Sequence, residues 1–555
     1  MSIQFLVIQP SSSSNQSSEE IKLSTETLNS SPADAAANSR SKSEYDILLP
    51  FFDPSTGGEK GSQILLDGQA LPVEAGLAAA LKHLRLQDKP RKVWAYSICQ
   101  KSELRAAMSG MAAGGAVTAD KGKFGLKRKK DPSRGKVYLY LPKRAAEDEN
   151  GGMTVQAALA ALIPDRKLIA IKEQGEELDW NTLERSWGHG LEGFLNVPTE
   201  GAKEIKKKVD EIGRLRKQAE KNPDKTRERV WEVLDLLRGL QCQDSRDRLY
   251  WVAPWSLEVN YDRSAEQEYF DFARKSVITT GTLDVLNWVR GAESQESSPS
   301  WIPQWHKPVD DGIDSGVPVP LLGEWPDGSY RSYRTWGTWM KVQCKDVAEE
   351  DYGASPGTTI LTGIRFEEVE ELGASWHPKS KTEERSSILS QWTELALKSI
   401  PEHIKCPYGG LKGRREILEK IFTGAVNAPE QRTKPSLFPT TKPLYLRESS
   451  SKSANLLSSP DVYHACANRR LITTKRGYLG LAPAHAQRGD IIVALYGGKT
   501  PYLLRPWVDP GFSGPDSARK AEYKLVGELY VAGIMEGEAM SWQHATASMR
   551  DFRIV

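Results

Sequence analysis

Two different rhythms of apolar residues divide this chain, and they limit what it can fold into more than any other feature. Through about the first 160 residues, short apolar runs alternate with stretches of helical spacing. Residues 63–86 open with ILLDG, a strand and a turn, and continue as LPVEAGLAAALKHLRL, whose apolar positions recur at helical intervals. A strand follows at 92–99, then a helix at 102–111 with Ser102 placed to cap it, then the strand VYLYL at 137–141. Strands alternating with helices predict an α/β unit with a mainly parallel sheet. The near-continuous apolar character of VWAYSI and VYLYL places both in its interior. The last third has another rhythm: DIIVALYGG, TPYLLRPW and YKLVGELYVAGI are apolar runs parted by Gly or Pro, the mark of a β-rich region.

Between these parts, residues 199–240 read as two amphipathic helices broken near Asn222 and Pro223. Their acids and bases are interspersed, which fits a solvated face on packed helices. The Ser-, Asn- and Ala-rich residues 11–44 read by composition as loop. The expected organisation is mixed α+β: an α/β domain over 1–200, a helical middle over 201–310, and a β-rich C-terminal region over 311–555.

At 555 residues the chain is long enough for two or three packed units. Its 75 Lys and Arg against 73 Asp and Glu leave no net field to steer it to nucleic acid or an anionic membrane. The five cysteines are odd in number and form no CxxC pair, which fits reduced thiols rather than a disulfide framework or a zinc ribbon. The run in MSIQFLVIQP has no basic residues before it and is too short for a signal-peptide core. No stretch approaches the roughly 18 apolar residues of a membrane span. A cytoplasmic protein is expected. The basic stretch KGKFGLKRKK at 121–130 reads as a solvated loop, with nuclear import as its alternative.

Motifs that would name a chemistry fail on spacing. GGKT at 497–500 invites a phosphate-loop reading, but the loop needs a glycine where Val493 stands inside a strand run. A hairpin turn is the expectation. Neither GxGxxG nor HExxH occurs. His464 with Cys466 is the nearest approach to a ligand pair, and no metal site is expected.

The segment from Gln243 to Val289, QDSRDRLYWVAPWSLEVNYDRSAEQEYFDFARKSVITTGTLDVLNWV, resembles fungal heterokaryon incompatibility (HET) proteins. Their D-x-R-D-x-x-Y element falls on Asp244, Arg246, Asp247 and Tyr250, and a Gly-x-Leu-Asp turn on Gly281, Leu283 and Asp284. PSWIPQW, with Trp301, is similar to the family's P-S-W-x-P-x-W. RRLITTKRGYLGLAPAHAQRGDIIVALYGGKTPYLLRP, with Gly477, Gly480, Gly489 and Asp490, looks like the C-terminal element. YKLVGELYVAGIMEGEA, with Gly527 and Gly533, completes it. Physically these segments read as structural, with Asp247 capping or pairing locally beside Arg246 and Arg248 and the aromatics filling a core.

The N-terminal third resembles the HET domain in eroded form. The resemblance makes IQFLVIQP and EEIKLSTETL its opening strands, which revises the loop reading of part of 1–30. The family's A-L-S-Y-x-W-G-D appears as YDILLPFFDPS, keeping Tyr45 and Asp53. Its W-I-D-A-I-C-I-N-Q appears as VWAYSICQ, keeping Trp94, Ile98, Cys99 and Gln100. Its R-x-W-V-x-Q-E appears as GGMTVQAAL, with Gln156 kept and Ala157 in place of the glutamate. HET domains are held to be relatives of Toll/interleukin-1 receptor (TIR) domains, some of which cleave NAD with a glutamate. By position Glu103 is the nearest match, and its bland reading is a first-turn carboxylate. The resemblance implies a TIR-like α/β domain in a protein of self/non-self recognition and programmed cell death. It implies association with other HET or TIR-like proteins or with itself, and no cofactor. The alternative is a TIR-like enzyme that consumes NAD.

Overall fold

The computed structural model describes residues 2–10, 21–29, 46–50, 62–73, 75–95, 98–99, 136–140, 168–171, 177–179, 230–238, 244–252, 260–289, 299–305, 344–346, 357–377, 380–398, 406–423, 465–508, 521–540 and 549–555, with scattered single positions and pairs between them. The chain divides into two compact units, 1–265 with 305–308, and 266–304 with 309–555.

The first unit is built on a nine-stranded sheet. Its strands are β1 (Ser2–Ile8), β2 (Lys22–Asn29), β3 (Asp46–Pro50), β4 (Ser62–Leu66), β5 (Gln69–Val73), β6 (Arg91–Ala95), β7 (Val137–Tyr140), β8 (Leu168–Ile171) and β9 (Glu177–Asp179), in the spatial order β5-β4-β2-β1-β6-β3-β7-β8-β9. At its centre β6, β3, β7 and β8 run parallel. The flanks are mixed: β1 is antiparallel to both β2 and β6, β4 to β5, and β8 to β9, whereas β2 and β4 are parallel. VWA of β6 and VYLY of β7 are interior strands, as expected, but the strand expected over 92–99 ends at Ala95, and Ile98 and Cys99 lie in a turn bonded back to its carbonyl. Ile47, Leu48, Leu49, Val93, Trp94 and Ala95 have no exposed surface, the signature of a sheet covered on both faces.

Helix α1 (Ala75–Leu84) lays Leu77, Leu81 and Leu84 into the same core. The helical spacing read from residue 71 onward is corrected at its start. Asp67 and Gly68 both have positive φ, 50° and 84°, a tight hairpin turn that folds residues 69–73 back on β4 as a strand. The expected helix at 102–111 and the basic stretch at 121–130 lie outside the described residues. Helices α2 (Val230–Arg238) and α3 (Ser245–Val252) follow, and Leu236 and Leu237 join the sheet's core.

The second unit begins with α4 (Ala265–Thr280) and a short 3-10 turn over Asp284–Trp288. Two short strands, β10 (Gly323–Glu324) and β11 (Tyr330–Arg331), pair with each other, and β12 (Cys344–Asp346) pairs with the start of the 17-residue strand β13 (Thr359–Ser375). After α5 (Thr382–Leu397) and α6 (Leu411–Thr423) come β14 (Arg469–Thr474), β15 (Leu479–Pro483), β16 (Ile491–Leu495), β17 (Tyr502–Trp507), β18 (Glu522–Glu528), β19 (Tyr530–Val531) and β20 (Met549–Ile554).

These strands close into a barrel. β13 pairs with β14, β14 with β15, β15 with β19, β18 with β17, β17 with β16, and β16 with β13 again, every pair antiparallel. Since β18 and β19 are one run of chain, the ring has six staves. Register shifts along β13 bend it, so that its first half meets β20 and β16 and its second half β14. Alternate residues fill the interior: Ile364, Phe366, Ile472, Ala482, Ile492, Ala494, Leu503, Val526 and Val531. On the outside Leu471, Leu479 and Leu481 pack with Trp392 and Ala396 of α5 and Leu418 and Ile421 of α6. Burial of each large apolar side chain stabilises the unit by about 1.5 to 3 kcal/mol.

Candidate functional site

In open sheets with parallel strands, ligands bind beyond the carboxyl ends of those strands. In the first unit this edge is formed by Pro50, Ala95, Tyr140 and Ile171, the last residues of β3, β6, β7 and β8. Two of the eroded signature segments meet it. After Trp94, fully buried in β6, the chain turns so that Ile98 and Cys99 both donate their N–H to the Ala95 carbonyl, at 3.1 and 2.9 Å. The Thr154 hydroxyl donates to the Pro50 carbonyl at 2.6 Å and accepts the Ala157 N–H at 3.2 Å, tying that segment to the end of β3. Ala157, which stands where the HET pattern carries glutamate, is fully buried and sets a methyl group against the core. Gln100, Glu103 and Gln156 lie outside the described residues. Among the described residues, no group of three or more His, Cys, Asp or Glu could hold a metal ion.

The D-x-R-D-x-x-Y element brackets a chain turn. Asp244 accepts the Arg246 backbone N–H at 3.0 Å and pairs with its guanidinium at 2.8 and 2.7 Å. Arg246 also donates to the carbonyls of Tyr261 and Arg263, both at 2.6 Å. Asp247, fully buried, accepts the Tyr261 hydroxyl at 2.5 Å. The Tyr250 hydroxyl donates to the Asn260 carbonyl at 2.7 Å and accepts its N–H at 3.1 Å. Arg248 donates to the carbonyls of Leu237 and Leu240 at the end of α2. In this element Arg246 pairs with Asp244, and the Asp247 carboxylate holds Tyr261. Burial, then Asp247, pushes the Tyr261 hydroxyl far above its ordinary range, so it remains a donor. The arrangement is a clamp on residues 260–263.

In the second unit the motif residues converge on the barrel. Trp301 is buried edge-on to Phe270 and donates its indole N–H to the Gly357 carbonyl at 3.0 Å. Asp490 accepts both Arg505 Nε and Nη2, at 2.8 and 3.0 Å, and closes the turn before β16 by accepting the Gln487 N–H. Gly477, Gly489 and Gly533 occupy turns with positive φ. Gly480 and Gly527 lie in strands. A Cβ on Gly480 would stand 2.4 Å from the Tyr530 carbonyl oxygen, so the β15–β19 approach needs glycine there.

GGKT forms the turn between β16 and β17, as its spacing predicts. Lys499 pairs with Asp284 of the Gly-x-Leu-Asp element at 2.6 Å. Behind it lies a centre that motif reading did not single out. Glu528 accepts the Leu321 N–H at 2.5 Å and Asn287 Nδ2 at 2.6 Å, and faces Arg469 Nη2 at 3.4 Å. Asn287 also bonds Thr500, and its oxygen accepts the Tyr502 hydroxyl at 2.8 Å. Burial pushes Glu528 up to about 7 against the pull of Arg469, and the same burial lowers Arg469. With side chains 3% and 0% exposed, the pair gives a substrate no access. Burial likewise pushes the Cys466 thiol up to about 12, which leaves it unreactive. The sequence signal for this centre is slight: a charged residue inside each of two apolar strand runs.

Comparison with known families bears on this second unit. Residues 452–555 match the family model of the Het-6 beta-barrel domain. A stretch of 87 residues, 16% of this chain, is 37% identical to Heterokaryon incompatibility protein 6, OR allele, of Neurospora crassa. It spans 11% of that protein's length. No solved structure matches. The resemblance to fungal heterokaryon incompatibility proteins is supported in this C-terminal part. All but one of the barrel's staves fall within the matched residues, and the remaining stave, β13, lies before them.

Proposed function

We propose that this protein acts in fungal self/non-self recognition and the control of programmed cell death, as an interaction scaffold. The observation that carries this reading is the match of residues 452–555 to the Het-6 beta-barrel domain. Likeness to a protein named for heterokaryon incompatibility joins it. The geometry favours a scaffold over an enzyme: the barrel interior is filled with apolar side chains, and its polar centre is enclosed. Such a domain offers its outer surface to a partner. Partners are other HET or TIR-like proteins, a second copy included, in the cytoplasm. No described helix is long and apolar enough to cross a membrane.

The alternative, a TIR-like enzyme that consumes NAD, draws support from the meeting of signature segments at the carboxyl edge of β3 and β6. It asks much of Glu103, because Ala157 replaces a second carboxylate. The test of the scaffold reading is inducible expression in a compatible fungal host, scoring death alone and beside candidate allelic partners. Death that depends on the partner supports it, and indifference to every partner counts against it.

A further inference from the structure

Two side chains held on opposite flanks of β13 meet at one sulfur atom. Strands β16 and β20 both pair with Gly363 and Ile364, so they lie on the two sides of β13. Met549 opens β20, opposite Ile364. Tyr496 follows β16 and donates its backbone N–H to the Thr362 carbonyl at 2.9 Å. The Tyr496 hydroxyl donates to Met549 Sδ at 2.8 Å. The two partners differ in access. Tyr496 is 3% exposed and packs in the barrel's core, whereas Met549 is 36% exposed. Met535 offers the contrast inside the same unit: it is 2% exposed, with its sulfur against the Val531 N–H at 3.5 Å.

A thioether sulfur carries two lone pairs and is the atom that a peroxide oxidises. Oxidation at one pair or the other gives two epimeric sulfoxides, each restored by its own reductase. At Met549 the Tyr496 donor engages one pair from the core side, and both residues are fixed by bonds to the same strand. The other pair is left to solvent. We propose that Met549 is a site of reversible oxidation by a peroxide, and that Tyr496 sets which of the two sulfoxide epimers forms. The exposed lone pair forms the S–O bond as the peroxide O–O bond breaks. The sulfur is oxidised by two electrons, and the departing hydroxide takes the proton of the transferred oxygen and leaves as water. The product is a polar, chiral group at the head of β20, where the thioether was apolar. This site goes beyond the scaffold reading and stands or falls without it.

The test treats full-length protein with dilute hydrogen peroxide, digests it, and measures oxygen uptake peptide by peptide by mass spectrometry. Each epimer in the Met549 peptide is then counted by the reductase that removes it. Met549 is expected to be oxidised while Met535 stays reduced. One hydrogen bond's worth of bias gives one epimer in about tenfold excess. Tyr496→Phe keeps the ring and removes only the donor. With Met535 still reduced, the sign of a closed core, that variant is expected to give the two epimers in about equal amounts. Wild type oxidised in urea is expected to lose the preference as well. Equal epimers in folded wild type overturn the proposal, as does a preference that survives Tyr496→Phe or urea. Oxidation of Met549 no faster than that of Met535 overturns it too.

Discussion

Lys499 Nζ lies 2.6 Å from Asp284 Oδ2, across 215 residues of sequence. The lysine that a phosphate loop would aim at a nucleotide is here committed to a carboxylate of the chain itself. The pair is partly shielded, with side chains 30% and 15% exposed, so its coupling exceeds that of a solvated surface pair. A double-mutant cycle with Asp284→Asn and Lys499→Met, followed by denaturant unfolding, is expected to give a coupling of about 1 to 2 kcal/mol. A coupling near zero would make the contact incidental.

Glu528 gives a pH dependence whose sign follows from burial. Its ordinary value is 4.5, and the folded state holds it at about 7. The folded protein therefore binds a proton that the unfolded chain has released, and the resulting stabilisation is complete below about 4.5 and lost as pH rises through 7. Urea midpoints compared between wild type and Glu528→Gln from pH 5 to 8 are expected to show wild type losing ground to the variant as pH rises. Parallel curves would show that Glu528 does not titrate in this range.

Much of the fold is legible in short runs. VWA and VYLY are apolar on both faces and could only be interior strands, and GGKT sits where a hairpin must turn. The strand β13 is not legible in the same way. Its centre reads Glu367, Glu368, Glu370 and Glu371, a charge run that suggests solvent. The barrel neutralises these with Arg476, Lys475, Arg488 and Lys398, each distant in sequence. The Glu528 centre is hidden for the same reason, since Asn287 reaches it from 241 residues away and no local spacing encodes that meeting. The pair of Asp244 with Arg246 goes unread, since local spacing sets Asp247 beside Arg246 and Arg248, and the bond from Tyr261 to Asp247 spans 14 residues and needs the turn the clamp creates.

The barrel's dependence on β13 yields a third expectation. Without it β14 and β16 would both become open edges, each a row of unpaired backbone groups. A fragment of residues 452–555 is expected to show no cooperative unfolding transition by circular dichroism, whereas residues 266–555 are expected to show one. A cooperative transition in the shorter fragment would mean that the matched residues close without β13.

The central claim, a scaffold and not an NAD-consuming enzyme, meets its most direct test in the frequency of cell death when the Glu103→Ala variant is expressed beside a partner that triggers death with wild type. The pattern around Glu103 is eroded in sequence, with Ala157 where the family carries glutamate, and losing one preorganised partner already costs roughly a hundredfold in rate. The account predicts the same death frequency for the variant as for wild type. Death abolished by Glu103→Ala, with the variant protein present at wild-type level, would contradict it and assign the chain an enzymatic role.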